Sequence, residues 1–497
     1  TYPSAGNIGG GGFAVVRLPD GEVVTLDFRE TAPASAHRAM YLDEDGNVIK
    51  GLSRNTHKAA GVPGSVDGLL ALLERYGSKS RKEVMAPAIR LAEEGFPLDY
   101  DLARQFRRRL DDFRKYPGSW KKFSRDGEAW EEGDVWKQPD LAATLKRIAE
   151  EGRDGFYRGK TARLIVKEME RGNGEISLED LEGYRSVWRE PVHGTYRGYD
   201  IWSMGPPSSG GVLLVQMLNM IEPYDVGSMG FGSAEAIHLM VEAERRAYAD
   251  RAQHLGDMDY YDVPMDMLLS KEYARHRFSD FDKMKASVSE DIEAGEWPEE
   301  SPETTHYSVM DKDGTMVAVT TTLNSSYGNK IVVQGTGMLL NNEMNDFSIK
   351  PNTPNQFNLI GREANRIEPG KRMLSSMSPT LVTRNDKPFL VTGSPGGSTI
   401  ITTVFQVIVN TIDHDMNIND AVAMDRFHHQ WKPDMIMHGK YAFSPDTRRI
   451  LVKMGHENYR IVRYDGRGIG DANSILYKDG EMLGVKDPRN EGGATGF

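Results

Sequence analysis

The spacing of apolar residues divides the chain into regions of different predicted structure. Residues 12–28 carry two short, largely apolar runs on either side of a Pro-Asp-Gly sequence, which predicts two strands joined by a tight turn. The middle of the chain is mostly helical in pattern. Apolar positions recur every three or four residues over 65–77, 82–96, 141–152 and 233–257, which predicts helices there, the last being the longest. In the first of these helices, Ser65 is the predicted N-cap and Gly77 the predicted stop.

A different pattern follows an acidic segment. Residues 280–303 carry prolines and no apolar period, which is typical of a solvated linker. From Thr304 the chain alternates again around Asp313-Gly314, a strong hairpin signal. Because strands and helices are grouped rather than strictly alternating, we expect sheets covered by helices and not a doubly wound parallel sheet. Further strands are predicted over 329–342 and 377–394, and further helices over 398–414, with Ser398 as the cap, and 419–425.

Composition excludes several classes of function. The chain has 497 residues, of which 39% are hydrophobic and 27% charged, as in a globular protein with an ample core. A net charge of −12 argues against a nucleic-acid partner. The absence of cysteine removes disulfides, thiolate metal sites and thiol catalysis. No apolar run reaches the roughly 18 residues of a membrane span, and the first residues lack the features of a signal peptide, so we expect the natural beginning to be missing.

Several short motifs are better explained by structure than by ligands. Gly9-x-Gly11-x-x-Ala14 matches the dinucleotide fingerprint in form, but a strand rather than a helix follows, so we expect glycines that allow close backbone approach. Acidic sequences at 43–46 and 311–314 lack the other ligands of a calcium loop and are interpreted as turns. The adjacent His428 and His429 have no second ligand cluster in sequence, so no metal site is predicted there.

A glycine pair precedes the predicted helix at residue 398. Consecutive N–H groups of Gly396 and Gly397 at a helix start are suited to hold an oxyanion, although glycines before a helix often only form a turn.

Without cysteine or a serine elbow, one remaining nucleophile is a threonine at a newly made chain end. A free α-amine titrates near about pH 8 and can act as base toward its own hydroxyl. This chemistry requires the peptide bond before Thr304 to be cut, and a linker ending at Glu303 suits that requirement.

The residues around Thr304 resemble a known family. TTHYSVMDKDG, GNIGGGGF, LDFRETAPA, YRGYDIWSMGPPSSGG, LLNNEMNDFS, KRMLSSMSPT, TGSPGGSTIITT and RFHHQW occur here in family order, and the chain is identified on them as similar to γ-glutamyltranspeptidases, which are N-terminal-nucleophile hydrolases. The resemblance implies an α+β fold, a four-layer αββα sandwich. It also implies one precursor that cuts itself between Glu303 and Thr304. The products are a large subunit, 1–303, and a small catalytic subunit, 304–497, in one intertwined unit.

The resemblance also implies roles for individual residues. Thr304 is the expected nucleophile, Thr322 its hydrogen-bonding partner, and Gly396 and Gly397 the oxyanion hole. The γ-glutamyl group carries an α-carboxylate and an α-ammonium, and side chains of matching polarity are expected to hold each. For the carboxylate these are Arg29, Ser375 and Ser376, and for the ammonium Asn324, Glu343 and Asp346.

The expected activity is hydrolysis of glutathione and other γ-glutamyl amides, or transfer of the γ-glutamyl group to amino acids or peptides, without a cofactor. The family implies a periplasmic or extracellular location. Met373 and Asn345 differ from the residues that are common at these positions in the family. The aromatic Phe357 lies on a segment that forms a lid over the site in many members. His306 is given no chemical role. The alternatives kept open are a cephalosporin (glutaryl) acylase, a polyglutamate capsule depolymerase and a non-catalytic binding protein.

Overall fold

The computed structural model describes residues 2–292, 304–350, 362–462, 468–490 and 492–496. Both predicted hairpins, the helix predicted over 233–257 and the strands predicted over 377–394 are present within these ranges. The strands are β1 (Gly11–Arg17), β2 (Val23–Asp27), β3 (Phe96–Pro97), β4 (Val135–Trp136), β5 (Val187–Arg189), β6 (Val192–Tyr196), β7 (Tyr199–Ser203), β8 (Thr304–Met310), β9 (Met316–Thr322), β10 (Thr380–Arg384), β11 (Lys387–Thr392), β12 (Phe427–His428), β13 (Ile436–His438), β14 (Tyr459–Ile461), β15 (Ser474–Lys478) and β16 (Glu481–Val485).

Helices fill most of the first half of the chain and return near its end. None of the helices in the described ranges is long and apolar enough to cross a membrane. They are α1 (Ser65–Tyr76), α2 (Arg81–Glu94), α3 (Tyr100–Arg108), α4 (Leu110–Arg114), α5 (Pro117–Phe123), α6 (Pro139–Glu151), α7 (Asp154–Tyr157), α8 (Gly159–Gly172), α9 (Leu178–Gly183), α10 (Gly210–Ile221), α11 (Val226–Met229), α12 (Ala234–His254), α13 (Met265–Leu269), α14 (Lys271–Arg277), α15 (Thr399–Ile412), α16 (Ile418–Ala423) and α17 (Pro445–Met454).

Two antiparallel sheets form the centre of the molecule. The first has the strand order β5-β2-β1-β9-β8, and the second β16-β15-β11-β10-β7-β6. In each, strands from before residue 303 pair with strands from after it, as β1 does with β9 and β7 with β10. Any cut between residues 303 and 304 therefore leaves both sheets held together by hydrogen bonds across the two pieces.

The sheets pack face to face and helices cover their outer faces. Phe13 and Ala318 of the first sheet meet Leu381 and Val391 of the second in a buried apolar layer. On the outside, α1 packs against the first sheet, and α10, α12 and α15 share an apolar cluster with the second. This arrangement confirms the predicted α+β fold with four layers, αββα.

The glycines near residue 10 allow the close backbone approach that was predicted. A β-carbon placed at Gly9 would lie 1.9 Å from the carbonyl oxygen of Leu339, and one at Gly12 would lie 2.3 Å from that of Thr320. Neither position has room for a side chain, so glycine is required by packing and not by a nucleotide.

Ser398 occupies the N-cap of α15 as predicted, and its hydroxyl donates to Gln430. Two other predicted details are wrong. Ser65 is the first residue of α1, and Gly64 occupies the N-cap without a side-chain cap. Residues 329–342 form only the isolated bridge from Val332 to Leu339. A few backbone hydrogen bonds join the two arms of this segment, but the Val332 N–H donates to the Ser119 hydroxyl instead.

Candidate active site

Thr304 and Thr322 face each other across the end of the β8–β9 hairpin. They are paired residues in the ladder, and the Thr304 hydroxyl donates to the Thr322 hydroxyl over 3.4 Å. Thr322 Oγ1 also accepts a 2.8 Å hydrogen bond from the backbone N–H of Asn324. Both threonines are largely buried, with 8% and 3% of their surface exposed, and both line one pocket. The hairpin thus positions the predicted nucleophile through its predicted partner.

Gly396 and Gly397 immediately precede α15 at the wall of this pocket. Their φ angles of +138° and +56° lie in a region that favours glycine. Gly397 lines the pocket together with Thr304, and the Gly396 carbonyl is fixed by the Thr399 N–H at 3.1 Å and the Thr399 hydroxyl at 2.8 Å. No described residue accepts a hydrogen bond from either glycine N–H, so both donors are available to an oxygen that develops negative charge.

The loop that carries the two glycines is held from behind. The Ser398 hydroxyl donates to Gln430 over 2.7 Å, and His428 contacts the same side-chain oxygen at 2.9 Å. His428 also contacts the Thr402 hydroxyl on α15 at 2.8 Å. His428 therefore supports the start of α15, whereas the ring of His429 contacts Asp434 at 3.2 Å.

Arg29 occupies the floor of the pocket among carboxylates. Its guanidinium lies 2.6 Å from Glu343 and 2.6 Å from Asp346, with Glu30 at 3.6 Å. Its Nε donates to the Met373 carbonyl at 3.3 Å, so the residue at that variable position acts through its backbone. Burial on its own lowers the pKa of Arg29, but Glu343, Asp346 and Glu30 raise it above its ordinary value. The Arg29 guanidinium therefore stays protonated, and the neighbouring carboxylates balance its positive charge.

The carboxylates around Arg29 crowd one another. Burial raises the pKa of Glu30 to about 8, against the opposing effect of Arg29. Burial also raises the pKa values of Glu343 and Asp346, which Arg29 likewise opposes. Asn324, held at φ +73°, donates from its side-chain amide to Asp346 over 3.1 Å. An ammonium group brought to this side would relieve the surplus negative charge.

Ser375 and Ser376 also line the pocket. Ser375 Oγ accepts from the N–H of Met377 at 3.1 Å, and Ser376 Oγ accepts from Arg251 at 3.3 Å. Neither hydroxyl donates to any described residue, so both protons are available to an anion. These hydroxyls are suited to the carboxylate that the sequence assigns to them.

One pocket brings together most of the predicted residues. Gly396 lies one residue outside its lining, Glu303 and Phe357 fall outside the described residues, and so do residues 351–361 of the lid-like segment. His306 lies on β8 but contacts Thr320 and Ser308 rather than the pocket. Sequence reasoning missed Arg251, on α12, and three apolar residues. The lining comprises Arg29, Arg251, Thr304, Thr322, Asn324, Glu343, Asp346, Leu374, Ser375, Ser376, Met377, Gly397 and Ile400.

A second cluster of polar residues lies elsewhere and was also missed. His238, Glu242 and His456 bring possible metal-ligand atoms within 4.8 Å of one another. His238 Nδ1 is 2.8 Å from His456 Nε2, however, and Glu242 pairs with Arg245 at 3.2 Å and Arg246 at 2.6 Å. Because the ligand atoms already have partners and two guanidiniums lie beside them, the cluster is explained as a hydrogen-bonded part of the core.

Comparisons with known proteins identify the family. The family model described as gamma-glutamyltranspeptidase matches residues 1–497. The chain belongs to the γ-glutamyltranspeptidase family. A glutathione hydrolase proenzyme from Escherichia coli K12 is 46% identical over 500 residues, which is 99% of this chain and 84% of that protein.

The proteins similar to this γ-glutamyltranspeptidase family member also include acylases. The Acylase ACY 1 proenzyme of Pseudomonas sp. SE83 is 36% identical, over 97% of this chain and 84% of its own length. A crystal structure of a cephalosporin acylase from Bacillus halodurans superimposes with a TM-score of 0.85 at 27% identity, over 98% of this chain and 87% of that one. The γ-glutamyltranspeptidase fold is thus shared with enzymes named for other acyl groups.

Proposed function

We propose that this chain is a self-cleaving γ-glutamyltranspeptidase whose donors are glutathione and other γ-glutamyl amides. The observation that carries the proposal is that the hydroxyl of Thr304 opens into the same pocket as Arg29, Asp346 and Ser376. A hydroxyl nucleophile, a hydrogen-bonding wall for a carboxylate and a negatively charged wall for an ammonium are the parts that cleavage of a γ-glutamyl amide needs.

Maturation begins with Thr304 itself. Its Oγ attacks the carbonyl carbon of Glu303, the C–N bond between them breaks, and an ester and a free α-amine form. Water then hydrolyses the ester, which releases the Glu303 carboxylate and restores the hydroxyl. The resulting pieces, 1–303 and 304–497, remain one unit because both sheets are built from strands of each.

Donor cleavage repeats the same chemistry. The new α-amine, with a pKa near about 8, accepts the proton of the Thr304 hydroxyl as the oxygen attacks the γ-carbonyl carbon. The N–H groups of Gly396 and Gly397 hold the oxyanion, and Thr322 orients the nucleophile. The leaving amine takes the proton as its C–N bond breaks, leaving a γ-glutamyl ester on Thr304.

The ester is then passed to an acceptor. Water gives glutamate, and the amine of an amino acid or peptide gives a new γ-glutamyl amide; in both cases the Thr304 hydroxyl is restored. The family resemblance supports action in the periplasm or outside the cell.

A glutaryl acylase is the second candidate, because acylases occur among the relatives with similar folds. A glutaryl donor has no α-ammonium, so it leaves Glu343, Asp346 and the Asn324 amide without the cation that this side of the pocket favours. This argument gives preference to the γ-glutamyl group.

The test compares two anilides that differ only in the ammonium group. We expect kcat/KM for γ-glutamyl-p-nitroanilide to exceed that for glutaryl-p-nitroanilide, and Asp346→Asn to reduce the difference by about tenfold or more, the effect of weakening one charged contact. A preference for the glutaryl donor would assign the chain to the acylases instead.

A further inference from the structure

Arg251 is a buried cation in the pocket without an ionic partner in the described ranges. It lies in the last turn of α12 and is 4% exposed. Its Nε donates to the Ser209 hydroxyl at 2.9 Å and its Nη2 to the Ser376 hydroxyl at 3.3 Å. No described carboxylate lies within ion-pair distance of it and no described residue accepts a hydrogen bond from its Nη1.

Most other buried arginines in the described part of the chain are paired with carboxylates, although Arg17 is bonded to backbone carbonyls instead. Arg29 contacts two carboxylates at 2.6 Å each, and Arg245 and Arg246 each contact Glu242. An unpaired buried guanidinium is costly unless something compensates it. Burial lowers the pKa of Arg251 to about 10, so it remains protonated at neutral pH.

The two guanidiniums of the pocket are therefore not equivalent. Arg29 lies among three carboxylates, which balance its charge before any ligand enters. Arg251 hydrogen-bonds only to hydroxyls, and one of these belongs to Ser376, whose own proton points to no described acceptor. Burial has the larger effect on the pKa of Arg251 and lowers it, whereas Asp346 raises this pKa without contacting Arg251. An anion that accepts the Ser376 proton therefore lies next to a guanidinium that has no carboxylate in contact with it.

Arg251 also fixes the wall that bears the two serines. Ser209, which accepts from Arg251 Nε, donates from its hydroxyl to the Ser375 carbonyl at 2.7 Å and from its backbone N–H to the same oxygen at 2.8 Å. One guanidinium thereby holds Ser375 through Ser209 and Ser376 directly.

We propose that Arg251 determines specificity for the donor's α-carboxylate, by placing an unpaired positive charge behind Ser376 and by holding the serine wall in position. The inference rests on the proposed function and identifies the cation that gives the carboxylate side of the site its net positive charge. It predicts selection for donors with an α-carboxylate over donors without one.

The experiment uses the matured enzyme and two donors. γ-Glutamyl-p-nitroanilide carries the α-carboxylate, and 4-aminobutyryl-p-nitroanilide lacks it. We expect Arg251→Met to raise KM for the first donor more than it lowers kcat, and to reduce the preference for the first donor over the second by about tenfold to a hundredfold, the range for losing a hydrogen bond to a charged group. Competitive inhibition by glutamate and by 4-aminobutyrate gives the same comparison without turnover.

Two further variants keep the proposal testable. Arg251→Lys retains the charge but cannot hydrogen-bond to Ser209 and Ser376 at the same time. We expect it to lose less of the preference for the first donor than Arg251→Met does. If Arg251→Met does not mature, the lysine variant provides the test. Arg277→Met removes a guanidinium paired with the neighbouring Asp250 at 3.0 Å, outside the pocket lining, and is expected to leave the preference unchanged.

The outcomes separate this inference from the proposed function. An inactive wild-type chain refutes the function, whereas an active wild type whose Arg251 variants lose both donors equally, or neither, refutes the role of Arg251.

Discussion

The carbonyl oxygen of Thr322 lies against Gly10, 1.9 Å from the position that a β-carbon there would occupy. Thr322 is the residue that faces Thr304, so a glycine at the opposite end of the chain determines where the hairpin ends and where its hydroxyls point.

Gly10→Ala is therefore expected to displace the hydroxyls of the site without changing any side chain that takes part in the reaction. The methyl group forces the end of β9 away from β1, which lengthens the 3.4 Å contact between Thr322 and Thr304. We expect slower maturation and a loss of kcat of about tenfold or more, the effect of a small displacement of reacting groups. Gly183→Ala, where no atom lies within 4 Å of the added carbon, is the matched control and is expected to mature normally. Equal behaviour of the two variants would contradict this account.

Removal of the Thr322 hydroxyl tests its role as partner of the nucleophile. Thr322→Val keeps the shape but leaves the Asn324 N–H without the 2.8 Å acceptor and Thr304 without its hydrogen bond. We expect kcat to fall by about tenfold to a hundredfold, with KM changed less. Thr322→Ser restores the oxygen and is expected to recover most of the rate. Steady-state kinetics with γ-glutamyl-p-nitroanilide measures both, and a valine variant as fast as the serine variant would exclude this role.

Two substitutions at Asn324 distinguish the effect of its backbone conformation from the effect of its side-chain amide. Its φ of +73° costs little for asparagine or glycine and more for alanine, while its amide holds Asp346 at 3.1 Å. Asn324→Gly is expected to fold like the parent but to raise KM for γ-glutamyl donors, and Asn324→Ala is expected to lower the melting temperature as well by strain. Kinetics and thermal melts of the pair check this. If the glycine variant retains the parental KM, the amide does not position the ammonium-binding carboxylate.

Buried histidines make stability depend on pH. Burial lowers the pKa values of His306, His428 and His429 to about 3, about 3 and about 4. In the unfolded chain they titrate near about 6.5, so below that pH the unfolded state binds protons that the folded state does not. Above about pH 6.5 these histidines therefore do not lower the free energy of unfolding. Below that pH the free energy of unfolding falls by about 1.4 kcal/mol per pH unit for each histidine, until the pH reaches the pKa of that histidine in the folded state.

Urea denaturation at several pH values between about 7.5 and about 5 measures this slope. His428→Gln is expected to make the slope shallower. A slope that is the same in the His428 variant and the parent would contradict the assignment.

Local patterns predicted the parts of the fold that local physics controls. The alternation from 304 to 322 specifies a hairpin because one face of each strand is buried, and the structure has that hairpin in the register that pairs its two end threonines. The segment 329–342 was also predicted to form strands, but only a few backbone bonds join its arms. The Val332 N–H donates to Ser119, which is distant in sequence, and the local pattern does not encode this contact.

The sequence could predict candidate site residues that lie in family segments and have reactive or charged side chains. It could not predict residues that belong to the pocket only because the fold brings them there. Arg251 is one of several charged residues on α12, and nothing in its local spacing distinguishes it from Arg245 or Arg246, which pair with Glu242. Only the packing of α12 against the Ser375-Ser376 segment brings its guanidinium into the pocket. Likewise, the balance of Arg29 by Glu343 and Asp346 depends on three segments that are distant in sequence.

The central claim is that Thr304 cuts the chain and then carries the acyl group. Intact mass spectrometry of the purified protein, before and after incubation, tests it most directly. We predict two species whose masses correspond to residues 1–303 and 304–497, the second with a free N-terminal threonine. Thr304→Ala is predicted to remain a single uncut chain, while the neighbouring Thr305→Ala is still cut. A Thr304→Ala chain that is cut between Glu303 and residue 304 at the parental rate would contradict the account.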